Sequence, residues 1–171
     1  MTHSAQMAET KTDPVTRGED ARAQSDSLCE MNEYVLPQHA NAMGTVFGGQ
    51  IMAWVDLCAA ICAQRHSGRM AVTAFVDDLK FVSPVRVGEV VHLEARVTAT
   101  FHSSMEIEIK VHGENSRTRE RWRCVDAFVV FVAIDDDRKP VAVPPLLLDS
   151  DQTRASQAAG ERRREARLSK R

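Results

Sequence analysis

Asp56 is the one polar side chain among the thirteen residues from Ile51 to Ala63, Ile-Met-Ala-Trp-Val-Asp-Leu-Cys-Ala-Ala-Ile-Cys-Ala. A helix apolar on every face belongs in a core, where an unpaired carboxylate is costly and its pKa is open to perturbation. Such a group is suited to act as a general base or a nucleophile. Just upstream come His39 and Asn41, then the pair Gly48-Gly49 where the helix should start. An asparagine amide can position a water or polarise a carbonyl, and free N–H groups at a helix start can receive developing negative charge. A base, a polariser and an anion hole thus fit into one short stretch. Each residue also has a purely structural reading. Asp56 could cap a neighbouring loop, Asn41 could bond its own backbone in a turn, His39 could pack against the structure, and the glycines could simply turn the chain. Cys58 and Cys62 are poor nucleophiles here, because burial raises a thiol's pKa and no separate base is recognisable nearby.

These residues need a frame. Tyr34-Val35-Leu36-Pro37 reads as an extended entry, residues 38–49 as a glycine-containing loop, and about Gln50 to His66 as a helix stopped by Ser67-Gly68, with Met52 and Trp54 as core residues. Two short β runs follow, Val72–Val76 and Leu79–Val82, and Ser83-Pro84 with Val87-Gly88 marks a turn. Val91, Leu93, Ala95 and Val97 then alternate with polar residues, as do Met105, Ile107, Ile109 and Val111 with Glu106, Glu108 and Lys110. That period predicts two strands, each with one wet and one buried face, joined as a hairpin around Phe101–Ser104. A last strand from about Trp122 to Ile134 is apolar on both faces, which fits the middle of a sheet or an interface. One long helix followed by mostly antiparallel strands is an α+β arrangement in which a sheet wraps a helix. Its edges and its half-covered helix call for a second copy.

With 171 residues there is room for one core, predicted over residues 29–148. Residues 1–28 hold no aromatic residue and only Val15 and Leu28 as strong aliphatics, so a disordered arm is expected there. Residues 149–171 read as a charged tail; its final eleven positions carry six basic side chains against two acidic ones, which leaves residues 1–160 at −6 within the net charge of −2. The body is therefore no nucleic-acid binder by charge, and the tail is expected to be solvated. No stretch reaches transmembrane length or resembles a secretory or mitochondrial leader. Four cysteines at 29, 58, 62 and 124 fit small apolar packing in a reducing compartment, so the expected location is cytoplasmic.

Taken together, Pro37-x-His39-Ala40-Asn41-x-x-Gly44-x-x-Phe47-Gly48-Gly49, the helix with Trp54-x-Asp56, Val72-Thr73-Ala74 and Phe81-x-x-Pro84-Val85-Arg86-Val87-Gly88-Glu89 resemble the hotdog-fold acyl-CoA thioesterases over about residues 33–145. The resemblance implies an antiparallel sheet wrapped around one long helix, and a dimer of hotdogs often assembled into a hexamer, a trimer of dimers. It further implies a fatty acyl-CoA substrate, no cofactor beyond the CoA of that substrate, and no membrane insertion. It makes Asp56 and Asn41 catalytic, facing each other across a dimer, with the N–H groups of Gly48 and Gly49 as oxyanion donors. Because coenzyme A brings phosphates, Arg65, His66, Ser67, Gly68, Arg69, Lys80 and Arg86 are candidate contacts, with His39 as a further substrate contact. Ser103 and Ser104 fall where relatives line the ligand groove. The segment Arg121–Asp126 and the charged loop 113–121 depart from the family pattern. Two other readings stay open: a hydratase pairing His39 with Asp56, and a silent acyl-CoA-binding module.

Overall fold

The alternation that predicts a hairpin at residues 90–114 produces it, and the apolar last strand pairs alongside. The computed structural model describes residues 20–169. In chain order it contains α1 (Gln24–Ser27), β1 (Cys29–Tyr34), a 3-10 turn (Pro37–His39), α2 (Gly48–Ser67), β2 (Met70–Phe81), β3 (Val90–Thr100), β4 (Ser104–Glu114), β5 (Arg121–Ile134) and α3 (Asp151–Leu168). The sheet is antiparallel in the order β1-β3-β4-β5-β2. The doubly apolar β5 is thus flanked on both sides, and β2 is left at an edge. The two short runs expected at 72–82 are one strand, β2, whose pairing with β5 slips between Thr73 and Phe75 and again between Asp77 and Lys80.

On the inner face of the sheet lies α2, stopped by Gly68, whose φ of +64 suits a residue without a Cβ. Ile51, Trp54, Val55, Cys58, Ala59, Cys62 and Ala63 pack beneath Val91, Leu93, Ile107, Ile109, Ala127, Val129 and Phe131, all buried. The helix is not buried all round, as its composition suggested. Met52 is 46% exposed and Leu57 51%, and Ala53 and Asp56 share that open face.

Two segments differ from their sequence reading. Residues 20–28, placed in a disordered arm, are held to the body: Arg22 N–H donates to Pro145 O at 3.0 Å, Leu147 N–H to Arg22 O at 2.8 Å, and the Gln24 side-chain Nε2 to Val97 O at 2.7 Å. Residues 1–19 of that arm, with 170 and 171 of the tail, lie outside the described residues. The tail from Asp151 is the helix α3, opened by a capping box in which Thr153 N–H donates to Ser150 Oγ and Ser150 N–H to Thr153 Oγ1, both at 3.1 Å. It lies across the outer face that the alternation assigned to water. Its bases therefore meet protein: Arg163 lies 3.9 Å over the Phe128 ring, and Glu106, expected to be solvated, is fully buried. Gly160 makes this approach possible, since a Cβ there would come within 2.4 Å of Ala99 Cβ. Gly160→Val is expected to lower stability by about 2 kcal/mol through overpacking, seen as a lower urea midpoint with the far-UV helix signal retained.

At the end of α2, His66 is fully buried. Its Nε2–H donates to Pro144 O at 3.1 Å and Nδ1 has no partner. Burial lowers its pKa below the ordinary 6.5, outweighing the Pro144 carbonyl, which works the other way. The folded protein then keeps His66 neutral where the unfolded chain takes up a proton. Stability is untouched above about pH 6.5 and falls as the pH drops from there toward the folded pKa. Urea midpoints measured down that range should decline less steeply in His66→Gln than in the wild type.

Candidate active site

The loop before α2 is built around Asn41. Its N–H donates to Thr45 O at 2.8 Å and its carbonyl receives Gly44 N–H at 3.0 Å, with Gly44 at φ +72. The side chain closes the same turn: Oδ1 accepts from Met43 N–H at 2.9 Å and Thr45 N–H at 3.3 Å, and Nδ2 donates to Thr45 Oγ1 at 3.0 Å. The turn reading of Asn41 is therefore realised, and it leaves the second Nδ2 proton for another acceptor. A bridge from Thr45 to Arg86, with Val87 N–H donating to Gly44 O at 3.2 Å, ties this loop to the segment after β2.

Gly48 and Gly49 open α2, so their N–H groups have no intrahelical acceptor. A Cβ on Gly49 would meet the Phe47 ring at 2.6 Å, and one on Gly48 would touch Phe81 at 3.4 Å. His39 is half-buried, its ring edge-on to Trp54 at 5.1 Å between centroids, and its Nδ1 accepts Leu36 N–H at 3.2 Å. That bond obliges Nε2 to carry the proton of the neutral ring, so His39 is a donor and no base in this arrangement.

Two turns into α2, Asp56 sits on the exposed helix face, where Oδ1 accepts from Thr73 Oγ1 at 2.5 Å. Thr73 belongs to β2, and its residue type within Val72-Thr73-Ala74 carries no sign of this role. The signal lies in the sheet register. Thr73 pairs with inward Phe131, and after the slip at Ala74 Phe75 pairs with outward Val130 and Asp77 with outward Phe128. A bulge changes the face on which the following residues stand, so Thr73 can point in while Phe75 and Asp77 point out.

The remaining candidates scatter. Arg65 donates to Leu28 O at 2.5 Å, Ser67 Oγ to Ala63 O at 2.8 Å, and Gly68 is the helix stop. All three, with His66, lie at the far end of a twenty-residue helix, about 30 Å long. Lys80 pairs with Asp78 at 3.1 Å, and Arg86 is exposed beside Thr45. Ser103 and Ser104 close the β3–β4 turn, where Ser103 O accepts Ala133 N–H at 3.0 Å. Ser104 opens onto a cavity of about 500 Å³ on the outer face, lined also by Phe75, Phe101 and Arg164, away from Asp56. Within one chain no hydrogen bond joins Asn41 to Asp56. Among the described residues no group of three or more His, Cys, Asp or Glu could hold a metal ion, and no helix is long and apolar enough to cross a membrane.

The thioesterase superfamily model matches residues 43–120. An uncharacterised acyl-CoA thioester hydrolase of Bacillus subtilis is 38% identical over 79% of this chain and 81% of its own. The chain belongs to the hotdog-fold acyl-CoA thioesterase family. A hexameric acyl-CoA thioesterase shares the fold at a TM-score of 0.84 with 32% identity, over 88% of this chain and 97% of that one. Staphylococcus aureus acyl-CoA hydrolase, in complex with butyryl-coenzyme A, coenzyme A and coenzyme A disulfide, superposes at 0.80 with 31% identity over 88% and 92% of the two chains. Structures of that hydrolase also carry alanine in place of an asparagine, of an aspartate fifteen residues on, and of a threonine seventeen residues further. Asn41, Asp56 and Thr73 stand at the same separations in this thioesterase-family chain. The chain spans about a quarter of the first curated relatives it matches, 26% of mouse acyl-coenzyme A thioesterase 11 at 34% identity over 89% of this chain.

Asn41→Ala removes the acceptor for two amides, each bond contributing about 1 kcal/mol. Hydrogen exchange at the Met43 and Thr45 amides should accelerate about fivefold or more, with exchange in β3 and β4 unchanged.

Proposed function

We propose that this protein hydrolyses fatty acyl-CoA to a free fatty acid and CoA. The observation that carries the reading is the Asp56–Thr73 pair: a carboxylate on an otherwise apolar helix face, one oxygen held by a hydroxyl at 2.5 Å and the other left for chemistry. A thioester has a good leaving group, so the reaction needs an activated water or an attacking carboxylate and donors for the oxyanion. Asp56 takes the first role, as base or nucleophile. The Gly48 and Gly49 N–H groups and the free Nδ2 proton of Asn41 are the donors. No cofactor is required, and CoA enters as part of the substrate.

The active unit is a homo-oligomer, a dimer at least. Among the described residues β2 is a sheet edge of twelve residues, with Met70, Val72 and Val76 at 62%, 46% and 44% exposure, and α2 leaves Met52 and Leu57 open beside it. Surfaces of that kind are covered in a stable protein. A second copy would also bring an Asn41 to an Asp56 that one chain leaves apart, and the hexameric relative fits a trimer of such dimers. Arg86, beside the Asn41 turn, is the best-placed of the candidate phosphate contacts, whereas Arg65, Ser67 and Gly68 are occupied in ending α2. A cytoplasmic location suits four cysteines that are all buried and unpaired. The hydratase alternative loses its base, because Leu36 N–H occupies His39 Nδ1.

Thiol release from short-, medium- and long-chain acyl-CoAs, followed with a chromogenic disulfide, tests the reading. Wild type should turn over and Asp56→Asn should fall about a thousandfold while eluting as the same oligomer. Tight acyl-CoA binding without turnover would favour the silent binding module.

A further inference from the structure

The outer face of the sheet holds charged groups that the proposed chemistry leaves unused. Glu106 on β4 has no exposure, yet its carboxylate accepts Arg163 Nε at 3.0 Å and Nη2 at 2.6 Å, Thr98 Oγ1 at 3.0 Å, and Arg167 Nη1 at 3.4 Å. Arg167 Nη1 also donates to Asp77 Oδ2 at 2.9 Å and its guanidinium lies 5.8 Å from the Phe75 ring centroid. Nearly three turns earlier on α3, Gln157 clamps the backbone of Thr100, accepting its N–H at 3.0 Å and donating to its carbonyl at 3.1 Å. α3 is therefore pinned to β3, β4 and β2 in turn along its length.

Dry ion pairs are a poor way to add stability, since apolar residues of the same volume serve as well or better. What a guanidinium with several fixed donors does supply is a defined position. The element most in need of one is β2. It is an edge strand, and it slips twice against β5, its one strand partner among the described residues, with Asp78 at a positive φ of 49 in the second irregularity. Asp77 lies between the two slips, one turn of the pleat beyond the bulge that points Thr73 at Asp56.

We propose that α3 is a strut for the active site, and that Arg167 and Asp77 are positioning residues which hold residues 73–77 of β2 so that the Thr73 hydroxyl meets the Asp56 carboxylate. The inference rests on the thioesterase reading of that pair. Inner and outer faces are coupled through the bulge: Phe75 and Asp77 can be gripped by α3 from outside because the slip at Ala74 leaves Thr73 facing in. Glu106 serves as the fixed point, neutralised by Arg163 whether or not Arg167 is present.

The test compares full-length wild type, Arg167→Ala, Arg167→Lys, Thr73→Ala and the double variant Thr73→Ala/Arg167→Ala in steady-state hydrolysis of one acyl-CoA. Arg167→Ala should lower kcat about tenfold, as expected for a small misplacement of a reacting group, with KM within about twofold of wild type and the oligomer intact. Arg167→Lys should recover most of the loss. In the Thr73→Ala background, removal of Arg167 should have no further effect, because its route of action is already gone. An unchanged kcat in Arg167→Ala, or the same tenfold loss with and without Thr73, overturns the strut. If Thr73→Ala itself hydrolyses as fast as wild type, the active-site reading of Thr73 fails and the strut falls with it. That outcome is distinct from one in which Thr73→Ala is impaired and Arg167→Ala is not. Should Arg167→Ala fail to fold, Asp77→Asn removes the charge without changing shape and carries the same expectations.

Discussion

Everything in this molecule follows from a helix that has no face suited to water. α2 offers a single charged side chain along its apolar stretch, and a five-stranded sheet can cover only part of its circumference. The sheet takes Ile51, Trp54, Val55, Cys58, Ala59 and Cys62. Met52, Ala53, Asp56 and Leu57 stay open, and the edge strand β2 runs beside them. An apolar strip next to an unpaired strand is the surface through which a protein acquires partners. The one carboxylate of that stretch, Asp56, sits on the same open strip.

That arrangement reverses the first expectation about Asp56. The residue is not a charge forced into a core; it lies on the exposed face of α2, held by Thr73 and with one oxygen uncommitted. The same logic separates the two ends of the helix. At its start, Gly48 and Gly49 leave N–H groups without an intrahelical acceptor; at its end, Arg65, His66 and Ser67 are consumed in satisfying carbonyls of Leu28, Pro144 and Ala63. Residue type alone made both ends candidates, and hydrogen bonding distinguishes them.

The outer face shows how a local pattern can be right and its consequence wrong. The alternation of Glu106 and Glu108 with Ile107 and Ile109 does describe a strand with a polar face, and β4 is that strand. Water does not reach Glu106, because a helix with mean polarity high enough to pass for a solvated tail turns its arginines onto Phe128, Phe101 and Phe75. Guanidinium groups stack on aromatic faces and pair with carboxylates at once, so a basic run is compatible with packing when both are on offer. Phe128 of β5 and Phe75 of β2 are the platform for α3.

Order along the chain was legible from residues alone: the helix from its apolar run and its Gly68 stop, the hairpin from period two, the last strand's place inside the sheet from its lack of a polar face, and Asp56 as the lone polar group of the apolar run. These are local signals, carried by neighbours in sequence. Thr73 as the partner of Asp56, the holding of residues 20–28 to the body, the burial of Glu106 and the separation of Asn41 from Asp56 within one chain were settled only by tertiary structure. Each depends on a contact between distant segments or on a one-residue slip in strand register. A slip exchanges the two faces of a strand without changing its composition, and no count of residue types records it.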